Sequence, residues 1–211
     1  MKNKIRHFLG TTSIFIFILT AVIALTILAI PLYRFSLHVL NVPEQVDMSV
    51  SQIMENYYAV MEYLHFPWIN TLVLPDFPVS ANGALHFYEV KILFYINYGL
   101  LFLSTITSVS YLRRLNRIKG FWRLVEPFKI AIFVPFILLL VLAIDFDFMF
   151  VIFHQILFNN EAWIFDAVTD PIITVLPQEF FMYCFIFAFI LIEASFIGGY
   201  WLSKKKAYGY N

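Results

Sequence analysis

The chain has 211 residues, of which 61% are hydrophobic and only 13% are charged, and its formal net charge is zero. A soluble domain has an apolar share of about 45–50%, so this composition excludes an ordinary soluble protein and predicts an integral membrane protein. The single cysteine, Cys184, excludes a disulfide framework within the chain and a thiolate metal cluster.

Four continuous apolar runs are each close to the roughly 20 residues needed to cross about 30 Å of hydrocarbon. Their continuity excludes a membrane β-barrel, because barrel strands alternate apolar and polar residues. The first run is longer than the apolar core of a signal peptide, so we interpret it as an uncleaved anchor. The sequence therefore predicts an all-α polytopic membrane protein with four transmembrane helices, at 8–33, 91–112, 128–150 and 179–202.

Basic residues are concentrated on one side of these spans. Of the fourteen lysines and arginines, three precede the first span, six lie between the apolar parts of spans two and three, and three follow the fourth. The positive-inside rule then predicts that both termini are cytoplasmic, with a basic loop at 113–127 and a basic tail at 203–211. The remaining connections, 34–90 and 151–178, hold most of the acidic residues and are predicted to form a small extracellular cap. With no basic groove, nucleic acid is excluded as a partner.

The first cap segment contains one clear helix signal. The stretch "DMSVSQIMENYYAVMEYLHFP" has apolar residues at helical spacing, Asp47 or Ser49 as its N-cap, and Pro67 as its end, which predicts an amphipathic surface helix. After it, "INTLVLPDFPVS" is strand-like but is interrupted by Pro75 and Pro78, which favours a short edge strand or an extended loop. The stretch "ITVLP" in the second cap segment has similar character, so the two segments are candidates for a short strand pair.

The topology sorts the five histidines. His7, His38 and His65 fall where an amphipathic ring at the headgroup level is the expected structural role. His86 lies before the second span, at a distance of about 9 Å along a helix. His154 lies about two helical turns beyond the point at which the third span has crossed the bilayer. Both rings therefore reach the same layer, the outer boundary between cap and membrane.

Carboxylates at helical spacing accompany both of these histidines. Glu89 is three residues after His86, and Asp147 is seven before His154, so each is a candidate to orient its imidazole. From spacing alone, two buried hydrogen-bonding ties between cap and helices remain an alternative. A zinc site is another, although no H-E-x-x-H spacing exists. A serine nucleophile is disfavoured because G-x-S-x-G is absent, and the intramembrane Glu193 leaves a small transporter open.

Two blocks of the sequence resemble a known family. "LPDFPVSANGALHFYEVKILF" and "FHQILFNNEAWIFDAVTDPIITVLPQEFF" are similar to the lipoprotein intramolecular transacylases, called Lit, of Gram-positive bacteria. The resemblance extends over essentially the whole chain. It implies a membrane acyltransferase that moves the sn-2 acyl chain of a diacylglyceryl-cysteine lipoprotein to the α-amine of the same cysteine, giving a lyso-form lipoprotein.

The resemblance also implies where the enzyme works and with what. Its partners would be a diacylated bacterial lipoprotein and membrane lipid, in the bacterial cytoplasmic membrane, with no obligate protein partner. The ester and the amine belong to one molecule, so no cofactor, acyl donor or metal is expected. A non-enzymatic membrane scaffold or a small transporter subunit is the alternative function.

Such a transfer needs a proton removed from the amine and another delivered to the leaving oxygen, which two imidazoles can accomplish. We therefore predict His86 and His154 as the catalytic pair, without assigning base and acid, and Glu89 and Asp147 as their orienting residues. A confined aromatic pocket would bring amine and ester together, and donors would stabilise the developing oxyanion. The candidates for these pocket and donor roles are Asn159, Asn160, Tyr88, Phe87, Phe153, Phe158, Trp163 and Phe165.

Overall fold

The computed structural model describes residues 2–209, and every regular element in that range is a helix. In chain order the helices are α1 (Lys2–Ile27), α2 (Ile30–Val39), α3 (Val42–Val46), α4 (Val50–His65), α5 (Ala81–Arg117), α6 (Trp122–Ala131), α7 (Phe133–Ile144), α8 (Phe146–Leu157), α9 (Ile172–Val175) and α10 (Gln178–Tyr208). The predicted all-α fold is confirmed. The last two residues of the predicted tail, Tyr210 and Asn211, lie outside the described residues.

Four apolar helical stretches within residues 2–209 are long enough to cross a membrane. They are Asn3–Ile27, Ala81–Arg117, Trp122–Ile144 and Gln178–Tyr208. Their number is the number predicted from the apolar runs. Their bounds differ from the predicted spans, and three of the differences have a local physical cause.

The first helix starts and ends six residues earlier than predicted, and the second is longer than predicted. Helix α1 ends at Ile27 rather than near residue 33, because Pro31 lacks the N–H that would bond the Ile27 carbonyl; the chain restarts as α2 with Pro31 in its first turn. Helix α5 begins ten residues before the predicted start of span two, because Ser80 supplies an N-cap. The Ser80 side chain accepts a hydrogen bond from the Gly83 N–H at 3.0 Å.

The predicted third span, 128–150, is interrupted by Asp145. This residue adopts an extended conformation (φ −153°, ψ 91°), and its Oδ1 accepts a hydrogen bond from the Phe148 N–H at 2.9 Å. The carboxylate therefore ends the apolar α7 and caps a new helix, α8. The consequence is that His154 lies in the last turn of a separate short helix rather than on an extension of the span.

The predicted surface helix is present as α4. Ser49, one of the two predicted caps, forms a capping box with Gln52. The predicted strand pair is wrong: residues 69–79 form an irregular segment, and Ile172–Val175 is a short helix. Prolines in the irregular segment cannot donate to a strand ladder, and Pro171 already has the φ of a helix (−61°).

The chain divides into two compact units. The first, here called the span unit, comprises the described parts of Met1–Leu28, Asn97–Ile144 and Phe185–Asn211. Its buried core includes Leu115 and Leu124, each 1% exposed. Many of the large apolar side chains of this unit are exposed, as expected of helices solvated by lipid.

The second unit, here called the site unit, comprises Ala29–Ile96 and Asp145–Cys184. Its core is larger and is centred on Tyr33, whose ring stacks on Tyr57 at 3.9 Å and whose hydroxyl donates to the Val175 carbonyl at 2.7 Å. This core fixes α2, α4 and α9 to one another. The two histidines singled out by the sequence both belong to this unit.

Candidate active site

The N-terminal end of α5 is fixed by a buried carboxylate. Asp170 is 2% exposed, and its two oxygens accept hydrogen bonds from the Ser80 N–H (2.8 Å) and the Ser80 hydroxyl (2.6 Å). Gly83, one turn into α5, lies so close to Asp170 that an added Cβ would overlap the carboxylate. The start of α5, which carries His86, is thus tied to the segment that follows α8.

The imidazole rings of His86 and His154 lie next to each other, with their centroids 5.8 Å apart. Phe158 contacts both, at 4.8 Å from His86 and 5.8 Å from His154. His154 is 8% exposed, and His86 is partly buried. The structure therefore brings the two predicted histidines into one enclosed aromatic site.

A backbone contact fixes the tautomer of His154. Its Nδ1 lies 2.7 Å from the Phe150 carbonyl, which can only accept, so Nδ1 carries the hydrogen and Nε2 of the neutral ring keeps a free lone pair. Burial lowers the pKa of His154 below its ordinary value of 6.5, an effect partly opposed by the hydrogen bond to Phe150. The ring is therefore neutral at pH 7, as a proton acceptor must be.

A hydrogen-bonded loop carries the aromatic wall of this site. Trp163 stacks on His154 with the centroids 4.7 Å apart and donates through its indole N–H to the Asn160 carbonyl at 3.0 Å. The Asn160 side chain accepts from the Ala162 N–H (2.9 Å) and donates to Glu89 Oε1 (2.7 Å). The loop is therefore anchored to α5 at the turn following His86.

Phenylalanines complete the enclosure. Phe165 lies 5.4 Å from His86, and Phe153 lies 5.5 Å from His154, in both cases edge to face. Phe87 is buried and packs on Phe165 at 5.7 Å. Five of the predicted pocket residues thus surround the imidazole pair. These are Phe87, Phe153, Phe158, Trp163 and Phe165.

The predicted orienting carboxylates have other partners. Asp147 is exposed and accepts a hydrogen bond from Gln178 at 2.6 Å, so the Phe150 carbonyl occupies the place beside His154 that Asp147 was predicted to take. Seven residues are two turns of an uninterrupted helix, which puts Asp147 near the opposite end of α8 from His154. Glu89 bonds Asn160 rather than His86.

The three predicted oxyanion donors differ in their surroundings. The Asn160 amide is already engaged on both of its heavy atoms, while Asn159 and Tyr88 are exposed. Within the described chain no three metal-ligating side chains are clustered. The zinc alternative therefore has no ligand set in residues 2–209.

Sequence reasoning missed Asp170, Phe150 and the structural role of Lys91. Lys91 is 6% exposed and donates to the carbonyls of Phe66 (3.0 Å) and Ile69 (2.6 Å) just after α4. A lysine entering an apolar span is a signal that it is paired, but not with which group. For Asp170 and Phe150 the sequence offers no signal, because their contacts join segments far apart or use the main chain.

Comparison with known proteins identifies the family. The model of the family described as lipoprotein intramolecular transacylase Lit matches residues 8–181, a range that contains both histidines. This chain belongs to the Lit family. The resemblance predicted from the two sequence blocks is thereby confirmed.

Solved Lit structures have the same fold as this chain. The membrane integral Lit from Bacillus cereus is 30% identical and superposes with a TM-score of 0.92, covering 97% of this chain and 95% of that chain. Two structures of the same Bacillus cereus protein carry a single histidine substitution. The arginine variant is 29% identical to this chain and covers 97% of it. The alanine variant is 30% identical and covers 96%. For each variant the TM-score is 0.83 and the match covers 92% of the variant's own chain. Curated protein sequences give no match.

The Lit match and the four apolar helices together make this chain a multi-pass membrane protein. The predicted number of spans and the predicted membrane class are confirmed. Neither a scaffold nor a transporter role is favoured by any contact in the described residues.

Proposed function

We propose that this chain is a lipoprotein intramolecular transacylase acting on diacylated bacterial lipoproteins. The observation that carries the proposal is the match of the Lit family model to residues 8–181. In the reaction, the bond between the sn-2 glyceryl oxygen and the acyl carbonyl breaks, and an amide forms between that carbonyl and the cysteine α-amine. The amine loses a proton and the glyceryl oxygen gains one, so the product has the mass of the substrate.

His86 and His154 are proposed as the general acid and base. Their adjacency supports two proton transfers within one site, since the centroids are 5.8 Å apart. The lone pair left on His154 Nε2 by the Phe150 hydrogen bond supports His154 as the group that accepts the amine proton. The proton that His154 accepts would then pass through His86 to the glyceryl oxygen, so that both imidazoles return to their starting state. The surrounding aromatic rings support a confined pocket, in which effective molarities reach about 10⁵ M or more.

The membrane topology is a further part of the proposal. Both termini, the 113–127 loop and the 203–211 tail lie in the cytoplasm, and segments 34–90 and 151–178 form an extracellular cap. The distribution of basic residues supports this orientation. With this orientation, the ester and the amine react at the outer face of the cytoplasmic membrane. The reaction requires neither a cofactor nor an obligate protein partner.

The activity is tested with purified protein and a synthetic diacylglyceryl-cysteine lipopeptide. Tandem mass spectrometry should find an unchanged total mass with one acyl chain moved to the cysteine nitrogen. The double variant His86→Ala/His154→Ala should leave both chains on the glyceryl group. Absence of migration with the wild type in any lipid or detergent, or full migration with the double variant, would contradict the proposal.

The topology is tested by labelling single cysteines in intact cells. In a Cys184→Ser background, cysteines are placed at exposed positions Glu161 and Lys119. A membrane-impermeant maleimide should label position 161 from outside and position 119 only after lysis. The reverse pattern would invert the orientation and would contradict a site at the outer face of the membrane.

A further inference from the structure

The two carboxylate oxygens of Glu89 have different surroundings. Oε1 accepts a hydrogen bond from the Asn160 side chain at 2.7 Å, whereas Oε2 is buried and no donor of residues 2–209 reaches it. A carboxylate oxygen removed from water without a donor is costly, and buried polar atoms are normally paired. Oε2 is therefore the atom of this site that most needs a ligand with N–H or O–H groups.

No cation of the described chain balances the charge of Glu89. Lys91 is two residues further along α5, but its ammonium group donates to the Phe66 and Ile69 carbonyls and lies 4.4 Å from the Tyr63 ring centroid. The only ion pair between described residues of opposite charge joins Lys129 to Glu126. A bound cation would therefore supply both the missing donor and the missing charge.

His86 presents a second unpaired atom beside Glu89. Its Nδ1 is buried and has no partner among the described groups. Residues three apart share one face of a helix, so His86 and Glu89 face the same space. Phe165 lies 5.4 Å from His86, and Trp163 is held over His154 through Asn160. A compact cationic head with several N–H groups and an apolar remainder matches these surroundings.

We propose that Glu89 Oε2 binds the α-ammonium group of the substrate's N-terminal cysteine. The inference rests on the proposed transacylase function and identifies the subsite for the nucleophilic nitrogen. A primary ammonium has three N–H donors, of which one pairs with Glu89 Oε2 and another points toward His86. Before the nitrogen attacks, this second proton passes to His86 and from there to solvent, which leaves the neutral amine that the acyl transfer requires. The amide nitrogen of the product is uncharged and carries one N–H, so the same contact weakens once the acyl chain has moved. Glu89 thereby favours substrate over product.

The test is a thermodynamic cycle that combines the Glu89→Gln substitution with removal of the α-amine from the ligand. The ligands are dialkylglyceryl-cysteine lipopeptides, whose sn-2 ether cannot be transferred, with the α-amine present or replaced by hydrogen. Binding is measured in nanodiscs to the wild type and to Glu89→Gln, which keeps the size of the side chain and an acceptor for Asn160. In the wild type, loss of the ligand amine should weaken binding by about ten- to a hundredfold, the range expected for a charge-assisted hydrogen bond.

The same loss of the ligand amine should change binding to Glu89→Gln by less than about twofold, since the charged partner is gone. Glu161→Gln is the matched control, because it makes the same chemical change at an exposed carboxylate, so it should retain the amine preference. Equal amine preference in wild type and Glu89→Gln, or its loss in Glu161→Gln, would overturn the inference. If Glu89→Gln does not fold, Glu89→Asp should keep a reduced amine preference, and an unchanged one would overturn the inference.

Conversion of the ester-linked lipopeptide by the wild type is measured in the same preparations. Failure of the wild type to convert it would refute the proposed function itself. Conversion without an effect of Glu89 on amine preference would refute the ammonium subsite alone.

Discussion

The rings of His86 and His154 lie 5.8 Å apart, one on α5 and the other in the last turn of α8, with Phe158 against both. This separation makes the two imidazoles immediate neighbours in the site. The same pair is enclosed by aromatic side chains. Two carboxylates, Glu89 on α5 and the buried Asp170, tie α5 to the segment that follows α8.

Replacing either histidine by glutamine should abolish most of the acyl migration. General acid or base catalysis typically contributes about 10²- to 10⁴-fold to the rate, so a loss of that size is expected for His86→Gln and for His154→Gln. The initial rate of conversion of the lipopeptide, followed by mass spectrometry, checks this. His38→Gln is the matched control, since His38 is exposed, and it should keep the wild-type rate. A rate near that of the wild type in either of the first two variants contradicts the assignment.

The titration of His154 should be visible in the fluorescence of Trp163, on which it stacks at 4.7 Å. Burial lowers the pKa of His154, so its ring should protonate only below pH 6.5, and the imidazolium should then quench the indole. His86 is the titratable group whose ring faces His154, so His86→Gln should be titrated in parallel. His154→Gln and Trp163→Phe should each remove the transition. A midpoint at or above pH 6.5 would contradict the prediction.

The same shift has a consequence for stability. Between pH 6.5 and the lower pKa of the folded state, the unfolded chain binds a proton at His154 that the folded protein does not. The free energy of unfolding should therefore fall as the pH decreases from above 6.5, and the dependence should be smaller in His154→Gln. Thermal unfolding in detergent across this pH range measures the difference. An identical pH dependence in the variant would show that His154 does not contribute.

The contact between Asp170 and Ser80 should be essential for folding of the site unit. Asp170→Ala removes the acceptors of two short hydrogen bonds in a buried setting, which should destabilise the protein by about 2–4 kcal/mol. Gly83→Ala should also destabilise it, because the new Cβ overlaps the carboxylate. Gly99→Ala, in the same helix with open space around it, is the control and should be neutral or stabilising by up to about 1 kcal/mol. Equal melting temperatures for the two glycine variants would contradict the predicted overlap.

The ammonium group of Lys91 should stabilise the folded protein through its two hydrogen bonds. Lys91→Met keeps the apolar stem but leaves the Phe66 and Ile69 carbonyls without their donor, so a cost of about 2–4 kcal/mol is expected. Lys129→Met, which removes an exposed ion pair with Glu126, should cost less than about 1 kcal/mol. The melting temperatures of the two variants in the same detergent provide the comparison. A larger effect at Lys129 than at Lys91 would refute the stabilising role of the two hydrogen bonds from Lys91.

The number of spans was predicted correctly, and Ser49 was one of the two predicted caps of α4, because both signals depend on neighbouring residues. The bounds of the spans were less accurate. Pro31 and Asp145 end helices by local chemistry that could have been weighed from sequence, since a proline removes a donor and an aspartate caps a helix. The strand pair was wrong because residue preference for strands is weak when prolines occupy both segments.

The amino-acid sequence by itself determined the class of protein, the number of spans and the family, and it singled out the two histidines that are proposed as the catalytic pair. Hydropathy, basic residues and short motifs are properties of neighbouring residues, and they need no tertiary contact to be read. Only the tertiary structure decided that Phe150 rather than Asp147 holds His154, that Glu89 pairs with Asn160, and that Asp170 fixes the start of α5. Each of these contacts depends on packing or on the direction of a main-chain carbonyl, and a buried polar atom bonds whichever partner the packing brings within about 3 Å.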